Sequence, residues 1–134
     1  MNTCQKGQIA ELMAELKASE KGFIVSRPAI GFSRYDLIVD DGKKLYRVQV
    51  KYACASKCGS FVSVGLRRLN SLRKNVRTYN SNEVDAIMVF VPEMRQLYWI
   101  PPSLFNGKKA IQLRFTRAKN IGPIPCNYAN EYVW

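Results

Sequence analysis

The stretch YDLIVDDGKKLYRVQVKY, residues 35–52, predicts a β-hairpin from which the rest of the fold can be worked out. Residues 35–39 and 45–52 are rich in β-branched and aromatic side chains, which favour strands. The DDGK segment between them contains a glycine, which suits a tight turn because glycine adopts positive φ at little cost. We therefore predict two antiparallel strands joined by a short loop.

Polar side chains interrupt the second strand at Gln49 and Lys51. Because successive side chains of a strand point to opposite faces, these two lie together, with valines behind them. A turn at residues 41–42 would place Asp36 opposite Arg47, on the face of Gln49. An acid, an amide oxygen and an ammonium would then converge at a sheet edge, a cluster poorly suited to a core. It suits a site in which oxygens hold Mg²⁺ beside a lysine that faces a phosphate.

Composition indicates one folded domain with a polyanionic partner. The chain has 134 residues, of which 47% are hydrophobic and 23% charged, and its mean hydropathy is −0.21. Its formal net charge is +11, and five cations but no acid lie between Arg67 and Arg77. This excess favours nucleic acid over an acidic membrane surface, because no segment joins a strong basic face to exposed large apolar groups.

The start of the chain and its apolar runs predict a cytoplasmic protein without membrane contact. No run approaches the roughly 18 apolar residues of a membrane span. The first residues, MNTCQKGQ, lack the hydrophobic stretch of a signal peptide.

Cysteine and histidine usage narrows the possible chemistry. The four cysteines are too few and too irregularly spaced for a disulfide-stapled scaffold, so we expect reduced, small core residues: Cys4, Cys54, Cys58 and Cys126. A zinc site built from all four is the alternative. The sequence contains no histidine, which removes Ser-His and Cys-His nucleophile pairs. Any hydrolysis must therefore use carboxylates, lysine, tyrosine or a metal.

Two amphipathic helices are predicted. The first covers residues 6–20, is capped by Asn2 or Thr3 and ends at Gly22. Its apolar residues recur at helical spacing and should face the core: Ile9, Leu12, Met13 and Leu16. The second covers residues 66–79, where cations alternate with three apolar residues that should also face the core: Leu69, Leu72 and Val76.

Further strands complete the predicted sheet. Residues 23–26 form a short strand, and residues 61–64 should be a third partner of the hairpin. The apolar runs at residues 86–91 and 96–100 predict a buried hairpin, and residues 111–115 predict one more strand. A mostly antiparallel sheet flanked by helices predicts an α/β sandwich.

The order of Asp36, twelve intervening residues, Gln49, Val50 and Lys51 resembles the motif of the PD-(D/E)XK nuclease superfamily. That motif is an acid on one strand, then an acid or amide, any residue and lysine on the next. Longer segments resemble the intron-encoded homing endonucleases that use this fold, a group I intron enzyme of cyanobacteria among them: KGQIAELMAELKASEKGFIVSRP, RYDLIVDD, RVQVKYA and EVDAIMVFVPEMRQLYWIP. The resemblance implies a single nuclease domain over residues 1–134, with a mixed central β-sheet flanked by helices, and it covers residues 6–102.

The resemblance also implies an active site that hydrolyses double-stranded DNA. Glu11, Asp36 and the oxygen of Gln49 would hold Mg²⁺, which Mn²⁺ can replace, and Lys51 would orient or deprotonate the attacking water or stabilise the transition state. Tyr35 stands where the superfamily pattern has proline, and Gln49 replaces the second acid, which argues against a two-metal site. The structural alternative is that Asp36 pairs with a neighbouring cation and that Glu11 is a solvated helix residue.

Basic residues are candidates for DNA contact by type alone: Arg27, Arg34, Lys57, Arg67, Arg68, Arg73, Lys74, Arg77, Arg114, Arg117 and Lys119. Those between residues 67 and 77 could equally be the solvated face of the second helix. Residues 103–134 match the homing enzymes only loosely, and we expect them to contact DNA or another subunit. Five aromatic residues are predicted to be core or interface groups: Tyr98, Trp99, Tyr128, Tyr132 and Trp134.

The predicted assembly follows from the size of the chain. One small domain carries one active site, so a double-strand break requires at least a homodimer, and the resemblance favours a homotetramer. Two alternatives stay open: a Holliday-junction resolvase of the same fold, and a non-catalytic nucleic-acid-binding module that loses affinity with salt but yields no Mg²⁺-dependent product.

Overall fold

The computed structural model describes residues 1–69, 76–117, 122 and 126–134. Its helices and strands are, in chain order, α1 (Thr3–Glu20), β1 (Ile24–Ser26), β2 (Leu37–Asp40), β3 (Leu45–Tyr52), β4 (Phe61–Gly65), β5 (Arg67–Leu69), β6 (Val76–Thr78), β7 (Ala86–Val91), β8 (Gln96–Ile100), α2 (Pro102–Phe105) and β9 (Ala110–Arg114). A 3₁₀ turn, Ala129–Glu131, follows. No helix in these described ranges is long and apolar enough to cross a membrane.

The central sheet has five strands in the order β1-β2-β3-β7-β8. Strands β1, β2 and β3 form an antiparallel meander, and β7 pairs antiparallel with β8, whereas β3 and β7 run parallel. A parallel pair needs a crossover, which residues 53–85 provide. The mixed sheet and both hairpins are therefore confirmed. The sheet is the frame that positions the candidate site, because β2 and β3 carry most of its side chains.

Alanines attach α1 to one face of the sheet. Ala10, Ala14 and Ala18 are buried, and the first two share a core with valines and leucine of β2 and β3. Leu12 and Leu16 are 52% and 54% exposed. The predicted helix is confirmed, and Asn2 caps it in a reciprocal pair of hydrogen bonds with its first turn. The prediction that these two leucines face the core is wrong. The alanines let the helix lie close to the sheet, and the leucines face outward.

The other face of the sheet carries the larger core. Strands β4 and β9 form a two-stranded sheet that packs there with α2, burying Val62, Leu66 and Phe105 against Ile87. Residues 61–64 were expected beside the hairpin, and that prediction is wrong. The edge of β3 that they would need is taken by β7, so β4 pairs with β9 instead.

Residues 66–79 do not form the predicted basic helix. The chain instead forms β5 and β6, an antiparallel pair in which Arg67 lies opposite Thr78 and Arg68 opposite Arg77. A short apolar spacing of this kind suits two paired strands as well as a helix, and the pairing of residues 67–69 with residues 76–78 decides the outcome. Leu72 lies outside the described residues.

The first hairpin has a different register from the predicted one. Leu37 pairs with Val48 and Ile38 with Arg47, so Asp36 reaches Gln49 rather than Arg47. The loop comprises residues 41–44 rather than a two-residue turn at residues 41–42. The Asp41 carboxylate stabilises this longer loop because it accepts hydrogen bonds from the backbone N–H groups of both lysines in it. The shift is two residues, so Asp36 keeps its predicted face.

All four cysteines are free and exposed: Cys4, Cys54, Cys58 and Cys126. The prediction of core cysteines is wrong, because they lie in the first turn of α1 and in surface segments. Among the described residues, no group of three or more His, Cys, Asp or Glu side chains could hold a metal, which also removes the zinc alternative.

The described part of the C-terminal segment packs on the outer edge of β8. The backbone N–H of Trp99 donates to the Tyr132 carbonyl at 2.7 Å, and the backbone N–H of Trp134 donates to the Leu97 carbonyl at 3.0 Å. The indoles of Trp99 and Trp134 stack with ring centres 5.6 Å apart, and Tyr98 is buried. Tyr98 is therefore a core residue, whereas Trp99, Tyr132 and Trp134 are half-buried and pack against the core of the chain itself.

Candidate active site

Asp36 lies directly before β2, where the register brings it alongside β3. Its backbone N–H donates to the Val48 carbonyl at 2.9 Å. Its Oδ2 accepts hydrogen bonds from the Val50 N–H, at 2.8 Å, and from the side-chain amide of Gln49. Within the described ranges, these are the hydrogen bonds to its carboxylate, so Oδ1 keeps its lone pairs for another ligand. The acid is thus fixed by three contacts with one strand.

Gln49 is a polar residue inside an otherwise apolar strand. It is 9% exposed and lies between the buried Val48 and Val50, opposite Ile87 of β7. Its nitrogen donates to Asp36, so its amide oxygen is the atom left for another partner. A buried amide needs such partners, and the site supplies one in the carboxylate.

Lys51 lies two residues further along β3, on the same face and opposite Val89. Its ammonium is 5.1 Å from the ring centre of Tyr79, which is buried directly after β6. A cation over an aromatic face is attracted by the ring's negative centre, so Tyr79 restricts the lysine to this region. The charge of Lys51 also lowers the pKa of Asp36.

Burial raises the pKa of Asp36 above its ordinary value. The hydrogen bond from the Val50 N–H opposes this rise, the charge of Glu11 adds to it, and the charges of Lys51 and Arg68 oppose it. A carboxylate in this position is destabilised by burial and by a second acid. The groups that influence its pKa include Glu11 and Lys51 of the predicted site, and Val50, which follows Gln49 in β3.

Glu11 reaches the site from α1. Arg27 bridges two acids of that helix, with Nη1 2.5 Å from Glu11 Oε2 and Nε 2.5 Å from Glu15 Oε1. These bonds raise the pKa of Arg27. Arg27 therefore fixes the position of Glu11, a role that its residue type alone did not indicate.

A surface cavity of about 230 Å³ joins Glu11 to Asp36. The segment after β1 forms the rest of its wall, so the cavity is lined by Glu11, Arg27, Pro28, Ile30, Gly31, Ser33, Tyr35 and Asp36. The structure thus brings Glu11 and Asp36 to one open cavity, with Gln49 bonded to Asp36 and Lys51 on the same face of β3 as Gln49.

Arg68, one of the predicted DNA-contact candidates, lies next to the site, a position that the sequence did not indicate. Its Nη2 donates to the Ser33 carbonyl at 2.8 Å, and its charge lowers the pKa of Asp36. The reason it was missed is local: residues 66–79 were predicted as a helix, whereas β5 carries this arginine to the cavity wall.

The other basic candidates fall into three groups. Arg34 lies 3.4 Å from Glu83, and the Arg114 Nε donates to the Thr116 carbonyl at 3.3 Å. Four others are exposed: Lys57, Arg67, Arg77 and Arg117. The remaining three lie outside the described residues: Arg73, Lys74 and Lys119.

The fold and the site define a nuclease of the PD-(D/E)XK class. The family model for PD-(D/E)XK endonucleases matches residues 1–134, and the chain belongs to that family.

The chain is also similar to individual proteins. The chain is similar to a solved bacterial homing endonuclease, I-Ssp6803I, with 27% identity and a TM-score of 0.77 over 99% of this chain and 89% of the other. The Holliday junction resolvase Hjc of Archaeoglobus fulgidus shares the fold, with 16% identity and a TM-score of 0.54 over 81% and 84%. A UPF0102 protein of Shewanella halifaxensis (strain HAW-EB4) is 30% identical in an alignment 102 residues long, which covers 71% of this chain and 90% of the relative.

Proposed function

We propose that this protein is a metal-dependent endonuclease that cuts double-stranded DNA at specific sites, a homing endonuclease in type. The observation that carries the proposal is the hydrogen-bonded pair of Asp36 and Gln49 with Lys51 on the same face and Glu11 across a shared cavity. The similarity to a bacterial homing endonuclease over 99% of the chain supports the same function.

The donor set suits one hard divalent cation, Mg²⁺ or Mn²⁺. Glu11, Asp36 and Gln49 offer oxygen atoms, which these ions prefer. Asp36 and Glu11 lie close enough for one charge to raise the pKa of the other carboxyl, a repulsion that a cation between them would remove. Two carboxylates and one amide carry too little negative charge to favour a second ion. When bound, the cation would offset charge on the scissile phosphate and lower the pKa of the attacking water.

The residues of the chain have separate tasks in this proposal. Gln49 and the Val50 N–H hold Asp36 by Oδ2, so β3 also fixes the position of its other oxygen, Oδ1. Arg27 holds Glu11 at the opposite wall. Two acids fixed in this way need little reorganisation when DNA binds, which is the basis of electrostatic preorganisation.

Lys51 would face the scissile phosphate. Its ammonium lies over Tyr79 and its charge acts on Asp36, so it would orient the attacking water, take a proton from it, or stabilise the negative charge that develops. The exposed cations Lys57, Arg67, Arg77 and Arg117 would bind backbone phosphates.

Two or more copies would be needed for a double-strand break. Each chain supplies one set of Asp36, Gln49 and Lys51, and duplex DNA has two strands of opposite direction, so a twofold assembly would present two sites. We propose a homodimer or homotetramer, the tetramer favoured by the similarity to the homing enzymes. Sedimentation of the protein alone and with duplex DNA would test this, and a monomer in both conditions would contradict it.

A cleavage assay tests the proposed function. The full chain is incubated with a pool of long duplex DNA fragments or with a synthetic four-way junction, in Mg²⁺, in Mn²⁺ and in a chelator. We expect cuts at one or a few duplex sites with either metal and none with the chelator. Cleavage of junctions alone would select a resolvase, and salt-sensitive binding without product would select a binding module.

A further inference from the structure

The segment between β1 and β2 exposes two large apolar side chains beside the candidate site. Phe32 is 85% exposed and Ile30 is 69% exposed, separated by Gly31. Among the large hydrophobic residues in the described ranges, Phe32 is the most exposed. Exposed apolar groups that lie together mark contact surfaces for a partner.

This segment is anchored at its base to the wall of the cavity. The Ser33 carbonyl accepts a hydrogen bond from Arg68 at 2.8 Å, and the Ser33 hydroxyl oxygen accepts one from the Tyr35 N–H at 3.4 Å. Ile30 and Ser33 line the same cavity as Asp36. The apolar tip therefore projects from a fixed position at the edge of the site.

Chain length limits how far the tip can lie from the chemistry. Four residues span at most about 14 Å, so the Phe32 Cα lies within that distance of the Asp36 Cα. Along a DNA strand, about 14 Å corresponds to roughly four nucleotides at about 3.4 Å each. If Asp36 engages a phosphate, Phe32 is within reach of the same stretch of duplex.

The chemistry of Phe32 decides what it contacts there. A phenyl ring has no hydrogen-bonding group, so it gains nothing at a phosphate, and the same segment already has cations nearby in Arg34 and Arg68. Apolar side chains gain free energy against base faces, where they can enter a base step and kink the duplex.

We propose that Phe32, supported by Ile30, is a wedge that contacts bases within about four nucleotides of the cut phosphate. The inference depends on the proposed function for the position of the DNA. A wedge works most easily at flexible pyrimidine–purine steps, so it would add a sequence preference at positions without hydrogen-bonded base contacts.

Photocrosslinking tests the wedge without requiring cleavage. Phe32 is replaced by photoreactive p-benzoyl-phenylalanine in the full chain, which is irradiated with a random-sequence duplex pool in a chelator. The matched control carries the same group in place of Ile24, which is 66% exposed and pairs with Asp40 at the other end of the hairpin. We expect a protein–DNA adduct on bases from the first variant, at several times the yield of the second. Crosslinks to another copy of the chain, or equal yields, would overturn the proposal.

Cleavage kinetics provide the second measurement. Phe32→Ala should slow duplex cutting by about tenfold or more, while Ile24→Ala should leave it unchanged. Both side chains are exposed, so circular dichroism should show both variants folded. A base adduct without any cutting by the parent protein would support the wedge and contradict the endonuclease. Cutting at the parent rate by Phe32→Ala would contradict the wedge alone.

Discussion

Asp36 is a carboxylate that the protein partly buries beside a second acid. Burial and the charge of Glu11 both raise its pKa, and the hydrogen bond from Val50 only partly offsets them. The native protein therefore holds a proton on this group more tightly than the unfolded chain does. A residue kept in this state for chemistry is expected to lower stability at neutral pH.

We predict that Asp36→Asn abolishes cleavage and leaves the free energy of unfolding at pH 7 unchanged or higher, because the amide removes a buried charge. The sign follows from the raised pKa. Below the ordinary value of about 4, both native and unfolded states hold the proton and the parent has no penalty; above the raised native pKa, the penalty is complete.

Urea unfolding in a chelator at several pH values measures this. The stability of the parent relative to Asp36→Asn should fall as the pH rises above about 4 and then level off. A variant that is less stable than the parent at pH 7 would show that the charge of Asp36 is stabilising, contrary to its pKa.

Lys51 supports a prediction about rate alone. Lys51→Ala should reduce the cleavage rate by about 10²–10⁴-fold, the usual effect of removing a proton-transfer or charge-stabilising group. DNA affinity in a chelator should change little. Lys43→Ala, which removes an exposed lysine from the β2–β3 loop, is the control and should cut at the parent rate. Equal rates for both variants would refute the role given to Lys51.

Helix α1 shows at the element scale why a hydrophobic pattern can misplace a face. Leucines give a stronger apolar signal than alanines, yet Ala10 and Ala14 contact the sheet and Leu12 and Leu16 face outward. The close approach of helix and sheet selects small side chains, and a sequence pattern scored by hydrophobicity alone does not contain that distance. The same short separation lets Glu11 reach the edge where Asp36 lies.

Substitutions along α1 should follow burial rather than hydrophobicity. Ala14→Leu, at a position 1% exposed, should lower the free energy of unfolding by about 1–3 kcal/mol through overpacking. Leu16→Ala, at a position 54% exposed, should lower it by less than about 1 kcal/mol. Denaturant unfolding of both variants measures the contrast, and a larger loss for Leu16→Ala would contradict the observed packing.

The junction of β3 and β7 depends on an ion pair that joins distant parts of the chain. Arg47 Nη2 lies 2.9 Å from Asp85 Oδ1, its Nε donates to Asp85 Oδ2 at 3.0 Å, and its backbone N–H donates to the same oxygen at 2.8 Å. Asp85 directly precedes β7. The pair therefore helps to fix the parallel register that places Gln49 and Lys51.

We predict that Arg47→Ala lowers the free energy of unfolding by about 1–3 kcal/mol, because it leaves the Asp85 carboxylate with fewer partners. Arg34→Ala, which breaks a more exposed pair with Glu83, should cost about 0.5 kcal/mol or less. Chemical denaturation of both variants measures the difference. Similar losses would mean that the β3–β7 junction does not depend on this pair.

The pH dependence of that pair has the opposite sign to that of Asp36. Arg47 lowers the pKa of Asp85, so the stabilisation is complete above the ordinary value of about 4 and is lost as the pH falls through the lowered native pKa. Arg47→Ala should therefore remove this pair's share of the fall in the free energy of unfolding at acid pH.

Local signals predicted the hairpins well and long-range pairings poorly. The glycine-containing turn and the alternation in β2 and β3 lie within one short stretch, so sequence alone contains them. The pairing of β3 with β7 and of β4 with β9 depends on which edges are free after the crossover folds. For the same reason Asp36, Gln49 and Lys51 could be predicted together, whereas the position of Arg68 beside them could not.

Charge dominates the behaviour of the whole molecule toward DNA. The formal net charge is +11, and the exposed candidate cations in the described ranges include the four proposed to bind phosphates: Lys57, Arg67, Arg77 and Arg117. If each neutralises one phosphate, the logarithm of affinity should fall with the logarithm of salt concentration with a slope of about −3.6.

We predict an affinity loss of at least about 150-fold between about 50 and about 200 mM salt. Arg77→Gln should reduce the slope by about 0.9, while Lys43→Gln should leave it unchanged. Fluorescence anisotropy with a labelled duplex in a chelator measures both. An unchanged slope for Arg77→Gln would remove this arginine from the phosphate contacts.

The crossover between β3 and β7 also affects the protein while it is being synthesised. Until the ribosome has added residues 86–91, one side of β3 has no neighbour and presents free N–H and C=O groups to other chains. Lysine on such an edge discourages that pairing because its charge resists burial between strands. Lys51 would thus protect the nascent polypeptide from aggregation well before any DNA is bound.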